Sequence, residues 1–158
     1  MSANFLSIRE ATREDVPEIL TLYAQPDYDD GKVLKNADAA KIWERCATYP
    51  YYKFFVATEG KEIVGVYALL VMDNLGHLGS PSAVVEGVAV SPRAQGVGVG
   101  SAMMRHALEH AAAKGCYKLA LSSNEKRHRA HKFYEKLGFS RHGVSFSIVP
   151  FAKPQVAP

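Results

Sequence analysis

Three glycines stand at every second position in the stretch SPRAQGVGVGSAMM, between a strand-like run and a helical pattern. They are Gly96, Gly98 and Gly100. Because glycine has no side chain, the backbone N–H groups of such a turn can lie close to an anion. The first turn of a helix also carries N–H groups without partners and attracts negative charge. The spacing therefore predicts a phosphate-binding turn, with close packing of the helix on the strand as the alternative.

Two familiar phosphate-binding motifs do not fit this turn. A P-loop ends in Gly-Lys-Ser/Thr, whereas Gly100 is followed directly by Ser101. A dinucleotide-binding turn has the spacing G-x-G-x-x-G and an acidic residue at the end of the next strand. The glycine spacing here is different, and the next predicted strand ends in Leu121-Ser122-Ser123. The turn is neither a P-loop nor a dinucleotide-binding turn.

A carboxylate, Glu86, interrupts the apolar run AVVEGVAV just before the glycine turn. Burying an ionised carboxylate is costly, so its presence in an apolar strand requires a reason. Burial among apolar neighbours would make Glu86 a stronger base, suited to removing a proton from an ammonium group directly or through water. We therefore expect a buried Glu86 that acts as a general base. The alternative is a structural ion pair with a lysine or arginine.

Gly87 follows Glu86 in the interior of the same predicted strand. An interior glycine weakens regular pairing and often marks a β-bulge, which leaves backbone groups without ladder partners. The sequence thus predicts a bulge at Gly87, with a regular strand and a packing glycine as the alternative.

The surrounding pattern predicts a mixed α/β domain that would position these groups. Apolar residues at helical and strand spacing alternate with turn signals rich in Gly, Pro and Asp. The predicted elements are a strand near 5–12, a helix through 16–23, a loop at 25–31, a helix over about 36–49, a hairpin over 51–72, a turn at 74–82, a strand at 83–90, a helix at 98–114, a strand at 117–123, a helix through 130–137 and a strand at 143–149.

Composition is that of one ordinary globular domain. The 158 residues are 47% hydrophobic and 22% charged, and the net charge of +3 is too small to indicate nucleic acid. The longest apolar run, 63–72, is half the length that spans a bilayer, and charged residues near the N-terminus argue against an export signal. Cys46 and Cys116 lack metal-ligand spacing, so we expect buried, reduced thiols in a cytoplasmic protein.

The segment VAVSPRAQGVGVGSAMM resembles the acetyl-CoA signature of the GNAT acetyltransferases, with Arg93, Gly96 and Gly98 at the signature positions. The later stretch HKFYEKLGF matches that family's late helix motif, and the order of elements is similar over nearly the whole chain. The resemblance implies a GNAT fold over residues 1–150, followed by a tail at 151–158. This fold is a central mixed β-sheet flanked by about four helices, with a β-bulge in the fourth strand.

The resemblance also implies acetyl-CoA as cosubstrate and assigns its contacts. The N–H of Val88 would polarise the acetyl carbonyl, Val90 would pair with the pantetheine amides, and the glycine turn would hold the pyrophosphate. The cofactor-binding residues implied are Val88, Ala89, Val90, Arg93, Gln95, Gly96, Val97, Gly98, Val99, Gly100, Ser101, Asn124, Arg127 and His131.

Tyr134 is the candidate general acid. The FY before EKLGF matches the family position whose hydroxyl approaches the coenzyme A sulfur, and a neutral phenol can donate a proton to a departing thiolate. Its helical spacing with Ala130 and Leu137 makes core packing the alternative.

The stretch SSNEKRHRAHKFY departs from the commonest family pattern, because Arg127 stands where an asparagine is usual. It is similar to the aminoalkylphosphonate N-acetyltransferases, which implies a pantetheine contact for Asn124. Arg127 and His131 become candidates for an anionic group on the cofactor or the acceptor. A solvated helix face is an equal alternative, and a nucleic-acid patch is disfavoured because no stacking aromatics alternate with the charges.

The loop QPDYDDG lies where GNAT proteins usually build the acceptor pocket. Asp27, Asp29 and Asp30 would either attract a cationic amine or simply solvate the loop. The overall prediction is a cytoplasmic acetyltransferase that acts on a primary amine of a small molecule carrying an anionic group, with no metal, nucleic acid or membrane partner. A protein N-terminal or lysine acetyltransferase and a non-catalytic acyl-CoA-binding sensor are the alternatives. The family implies a homodimer.

Overall fold

The computed structural model describes residues 5–150, and the chain divides into two compact units, residues 1–121 and residues 122–158. The first unit contains a five-stranded sheet in the order β1-β2-β3-β4-β5. Its strands are β1 Leu6–Glu10, β2 Tyr52–Glu59, β3 Glu62–Met72, β4 Ser82–Val90 and β5 Leu119–Ala120. The helices of this unit are α1 Val16–Tyr23, α2 Asn36–Cys46 and α3 Val99–Ala113. The predicted α/β class and the order of elements through the last helix are confirmed.

The sheet is mixed, as predicted. Strands β1 to β4 pair antiparallel, whereas β5 pairs parallel with β4. The hairpin turns at Gly60, whose φ of +63° lies in the region that favours glycine. The almost continuous apolar run of β3 is explained by its central position, since it is buried along most of its length.

One face of the sheet packs against α1. This helix begins after a capping box in which Thr12 N donates to Asp15 Oδ2 over 2.7 Å. Its residues Ile19 and Leu22 form a core cluster with Val56 and Val66 of the sheet. Helix α2 ends at Cys46, three residues before the predicted end.

The other face packs against α3. Successive residues of a strand point to opposite faces, and Phe55 and Tyr67 therefore lie against His106 of α3 rather than against α1. Met103 is fully buried over Gly65, where an added Cβ would lie 2.9 Å from the Met103 sulfur. On α3 the buried residues include Met103, Met104 and Ala107, whereas Leu108 is exposed.

The second unit, described over residues 122–150, contains helix α4 His128–Lys136. Leu137 caps the end of this helix, and Gly138, with a φ of +94°, turns the chain away from it.

The predicted strand at 143–149 is wrong: these residues belong to no strand of the described chain, and Phe146 and Ile148 are exposed. Their apolar-polar alternation gives strand propensity, but a strand forms only where a neighbour completes its hydrogen-bond ladder. The predicted strand at 117–123 is present only as the two residues of β5. The predicted tail at 151–158 lies outside the described residues.

Within residues 5–150 no helix is long and apolar enough to cross a membrane.

Candidate active site

The predicted bulge in β4 is present. Val66 of β3 lies opposite Ala89 and Ala68 lies opposite Glu86, so Tyr67 alone faces the two residues Gly87 and Val88. Gly87 has a φ of +59°, which a side chain would disfavour. With two residues opposite one, part of the backbone of this segment has no ladder partner across β3.

The other edge of β4 is open beside the bulge. Strand β5 pairs with β4 only at Ala83 and Val84, so the described sheet offers no neighbour on that side from Val85 to Val90. An extended ligand can pair with such an edge as an added strand would. The bulge and the open edge together provide backbone donors and acceptors for a ligand that carries amide groups.

The side chain of Glu86 is exposed, and the predicted burial is therefore wrong. A carboxylate is tolerated in this apolar strand because its side chain reaches solvent: Glu86 lies in the row of Ala68 and Phe54 and is exposed. Within residues 5–121 no lysine or arginine forms an ion pair with Glu86, so the structural ion pair proposed as an alternative is absent from that unit.

Tyrosine side chains lie near Glu86 and Gly87. Tyr23 stacks on Tyr28 with ring centroids 4.7 Å apart, and Tyr49 meets Tyr52 edge-on at 5.5 Å. Burial raises the pKa of Tyr52, and the negative charge of Glu86 contributes in the same direction. The Tyr52 phenol thus stays neutral beside the carboxylate, and an amine that enters here meets aromatic faces and a negative charge.

The glycine turn precedes α3 as predicted. Gly96 has a φ of +78°, and Gly98, the residue that caps the helix, has a φ of +98°. An added Cβ would meet no atom within 4 Å at either position, so space is open on both. The first N–H groups of α3, from Val99 to Ser101, have no acceptor within the helix. This geometry suits the pyrophosphate of coenzyme A.

The side chains of Val99 and Ala89 are buried in the core, so these two predicted cofactor residues could contact a cofactor only through their backbone. The side chain of Val97, in contrast, is exposed on the turn. Gln95 donates from Nε2 to the carbonyl oxygen of Val90 over 3.2 Å, which joins the turn to the end of β4.

The guanidinium of Arg93 already has partners in the β2–β3 hairpin. It forms ion pairs with Glu62 at 2.8 Å and with Glu59 at 3.4 Å. Arg93 therefore positions the start of the turn against the hairpin.

In the second unit, the structure brings three predicted residues together at the start of α4. The carbonyl oxygen of Asn124 accepts from the backbone N–H of Arg127 at 3.0 Å and from His131 Nε2 at 2.9 Å. The side-chain oxygen of Asn124 accepts from the N–H of Lys126 over 2.9 Å. Asn124 and His131 thus stabilise this turn, while the side chain of Arg127 is exposed.

Tyr134, also in the second unit, lies between Phe133 and Phe139, with ring centroids 5.1 Å and 5.7 Å away. Burial raises the pKa of its phenol above the ordinary value, and the charge of Arg127 opposes the shift. The hydroxyl is therefore protonated at neutral pH and able to donate.

Sequence reasoning missed the residues that hold the bulge from the side of α1. Tyr23 Oη donates to the carbonyl oxygen of Gly87 over 2.9 Å, and Gln25 Nε2 donates to the carbonyl oxygen of Val90 over 3.1 Å. Tyr23 has the spacing of an apolar core residue of α1, and that spacing does not indicate a hydrogen bond to a residue 64 positions away.

Among residues 5–150 there is no group of three or more His, Cys, Asp or Glu side chains placed to hold a metal ion. Cys46 and Cys116 are free thiols, half-buried rather than fully buried as expected.

Comparison with known proteins finds a matching family model and several similar chains. The model of the acetyltransferase (GNAT) family matches residues 14–139. The chain is 37% identical over 90 residues to a glucosamine 6-phosphate N-acetyltransferase of Trypanosoma brucei brucei, a match that covers 57% of this chain and 59% of that protein. It is 27% identical to an aminoalkylphosphonate N-acetyltransferase of Salmonella typhimurium, over 89% of this chain and 88% of that protein. A crystal structure of an acetyltransferase from Trypanosoma brucei superimposes with a TM-score of 0.80 at 26% identity, over 92% of this chain and 99% of that one.

Proposed function

This chain belongs to the GNAT acetyltransferase family, and from that premise we propose that it transfers the acetyl group of acetyl-CoA to a primary amine of a small molecule. The observation that carries the proposal is the bulge at Gly87, with an exposed carboxylate immediately before it and the glycine turn between the end of that strand and α3. This arrangement offers a place for a thioester, a base beside it and a seat for the phosphates.

The open edge and the turn would hold the cosubstrate. Val88 and Val90 offer backbone N–H groups to the cosubstrate, since Ala89 lies in the ladder opposite Val66 and the Val90 carbonyl oxygen already accepts from Gln25 and Gln95. The turn from Gly96 to Ser101 offers N–H groups to the pyrophosphate. Acetyl-CoA supplies the activated acetyl group as a thioester. The N–H of Val88 is the donor assigned to the acetyl carbonyl oxygen, where negative charge develops during attack.

Glu86 is the proposed base. Its exposed side chain lies beside the bulge and can accept a proton from the ammonium group of the acceptor, directly or through water. The free amine then attacks the carbonyl carbon, the nitrogen of the tetrahedral intermediate releases its second proton to solvent, and the carbon–sulfur bond breaks. Tyr134 is the proposed acid, whose phenol donates the proton that the departing sulfur takes up.

The acceptor proposed is a small amine that also carries an anionic group. The support is the names of the two curated relatives, which act on glucosamine 6-phosphate and on aminoalkylphosphonates. Arg127, exposed in the second unit, stays a candidate for an anionic group on the cofactor or on the acceptor. The aromatic rings near Glu86 in the first unit would favour an ammonium group.

Thiol release from acetyl-CoA over a panel of amines tests the proposal. The panel contains glucosamine 6-phosphate, 2-aminoethylphosphonate, the same two amines without the acid group, a lysine peptide and a peptide with a free N-terminus. We expect turnover with at least one acidic amine and a lower kcat/KM for its neutral counterpart. Preferred turnover of a peptide would replace the small-molecule assignment. Tight coenzyme A binding without turnover of any amine would identify a non-catalytic acyl-CoA-binding module.

The cytoplasmic location and the homodimer stay predictions.

A further inference from the structure

The bulge in β4 is fixed by a side chain from outside the sheet. The carbonyl oxygen of Gly87 lies where two residues of β4 face one residue of β3, and it accepts a hydrogen bond of 2.9 Å from Tyr23 Oη. Tyr23 is the last residue of α1 and packs against the core cluster beneath that helix. The helix thus reaches the strand at the point where the ladder is interrupted.

The Tyr23 ring is fixed in place, and its hydroxyl stays protonated and able to donate a hydrogen bond. Its ring stacks on Tyr28 at an interplanar angle of 28°, and burial raises the pKa of its phenol. The hydroxyl therefore remains protonated throughout the neutral range and can donate to a carbonyl oxygen.

The close approach of α1 explains the glycine at the bulge. A Cβ at Gly87 would lie 2.7 Å from Tyr23 Oη and 3.3 Å from Tyr28 Oη. Contacts under about 3 Å between a carbon and an oxygen are repulsive, so a side chain would displace the tyrosine hydroxyls. Gly87 is required both for its left-handed backbone and for this contact.

A second hydrogen bond ties the same helix end to the end of β4. Gln25 Nε2 donates to the carbonyl oxygen of Val90 at 3.1 Å and to that of Leu22 at 2.9 Å. The loop itself is closed by backbone bonds, from Asp29 N to the Tyr23 carbonyl at 3.0 Å and from Gly31 N to the Ala24 carbonyl at 2.8 Å. The segment 87–90 is thus held at both ends from one compact turn.

Peptide planarity carries this restraint to the next N–H group. The carbonyl of Gly87 and the N–H of Val88 belong to the same planar trans peptide unit and point in opposite directions. A hydrogen bond that fixes the carbonyl toward α1 therefore also fixes the N–H of Val88, directed away from α1.

We propose that Tyr23 is a positioning residue for acetyl transfer: by holding the Gly87 carbonyl, it orients the Val88 N–H that receives the acetyl carbonyl oxygen. The inference rests on the proposed function for the role of that N–H. It assigns to α1 a part in aligning the donor before the cosubstrate binds. A donor aligned in advance contributes more to catalysis than one that must reorient during the reaction.

The test uses Tyr23→Phe, which keeps the ring and its stacking on Tyr28 and removes only the hydroxyl. Tyr51→Phe is the matched control, since Tyr51 is also half-buried and lies against Lys114 at the end of α3. Amide spectra of the ¹⁵N-labelled protein are recorded alone, with coenzyme A and with acetyl-CoA. Calorimetry gives the affinity for coenzyme A, and thiol release with the best amine gives kcat.

In wild type we expect the Val88 amide signal to differ between the coenzyme A and acetyl-CoA complexes. In Tyr23→Phe the signals of Gly87 and Val88 should move or broaden in the free protein, and the difference between the two complexes should be lost. The dissociation constant for coenzyme A should stay within about 3-fold, because the turn at α3 is untouched, while kcat falls by about 10-fold or more. The control should keep the wild-type spectra and rate.

Unchanged Gly87 and Val88 signals together with an unchanged kcat in Tyr23→Phe would overturn the inference. If Tyr23→Phe does not fold, the hydroxyl proton of Tyr23 is observed in the wild-type protein instead, and rapid exchange of that proton with water, with no contact to the Gly87–Val88 peptide, would overturn the inference. If the wild-type protein binds no coenzyme A, the proposed function is wrong, and this result does not bear on the role of Tyr23. The free-protein spectra of the two tyrosine variants still report whether Tyr23 orients the bulge.

Discussion

Arg93 Nη2 lies 2.8 Å from Glu62 Oε2, so the arginine at the start of the glycine turn is paired with the β2–β3 hairpin. A second carboxylate, Glu59, lies 3.4 Å from the same guanidinium. The turn is therefore built from two parts: a side chain that attaches it to the sheet, and backbone N–H groups that remain directed at the space before α3.

This arrangement predicts that replacing the glycines weakens acetyl-CoA binding more than replacing Arg93 does. Gly98→Val and Gly96→Val place a side chain on a backbone with φ of +98° and +78°, which strains the turn and fills the open space. The KM for acetyl-CoA should rise about 10-fold or more, consistent with a strain of about 1–2 kcal/mol. Arg93→Ala should raise it by less than about 3-fold, because exposed ion pairs contribute little.

Gly115→Val is the matched control for that experiment. Gly115 has a φ of +71° with open space around it, but it lies after the end of α3, away from the turn. It should lose a similar amount of stability in urea unfolding and keep the wild-type KM. A KM unchanged in Gly96→Val and Gly98→Val, or raised most by Arg93→Ala, would contradict a backbone seat for the pyrophosphate.

Glu86→Gln should lower kcat by about 100-fold at neutral pH, because the amide cannot accept the ammonium proton. Stability should change little, since the side chain is exposed. The measurement is kcat for the amine at neutral pH, with Asp73→Asn, also exposed, as the control. A wild-type kcat in Glu86→Gln would exclude Glu86 as the base.

Tyr134→Phe should retain the packing against Phe133 and Phe139 and lose only the proton donor. We expect kcat to fall by about 100-fold with little change in the KM for acetyl-CoA. Tyr117→Phe, which keeps its stacking on His77, serves as the control. Single-turnover rates of thiol release make the comparison, and a wild-type rate in Tyr134→Phe would refute the acid role and leave core packing as its explanation.

Periodicity and glycine chemistry predicted much of the fold and the place of the site. The interior glycine at Gly87 indicated the bulge, because a bulge is a local consequence of residue type. The turn before α3 followed from the spacing of Gly96 and Gly98 for the same reason.

Long-range placement could not be predicted in the same way. Whether Glu86 is covered depends on where α1 and its loop end over the sheet, which is a property of the packed fold rather than of the strand. The hydrogen bond from Tyr23 to Gly87 joins residues 64 positions apart. The sequence pattern of a tyrosine on the apolar face of a helix is the same whether or not its hydroxyl has a hydrogen-bond partner. The run 143–149 has strand alternation, but its state depends on a pairing partner that its own pattern does not specify.

A histidine on the α3 side of the sheet predicts a pH dependence of stability. His106 Nδ1 lies 2.6 Å from Tyr67 Oη, with the His110 ring 4.2 Å from the His106 ring and Phe55 packed edge-on at 5.0 Å. Burial lowers the pKa of His106, and the neighbouring His110 adds to the effect, while Glu109 opposes it.

The folded protein therefore keeps His106 neutral at a pH where the unfolded chain, with a histidine pKa of about 6.5, already binds a proton. The free energy of unfolding should fall as the pH drops below about 6.5, and the loss should level off below the folded pKa, with a contribution of at most about 1 kcal/mol by pH 5.5. Urea unfolding at pH 7.5 and 5.5 measures this. The loss between the two should be smaller in His106→Gln than in wild type, and unchanged in His142→Gln, an exposed histidine of the second unit. An equal loss in wild type and His106→Gln would show that His106 takes up its proton as readily in the folded protein as in the unfolded chain.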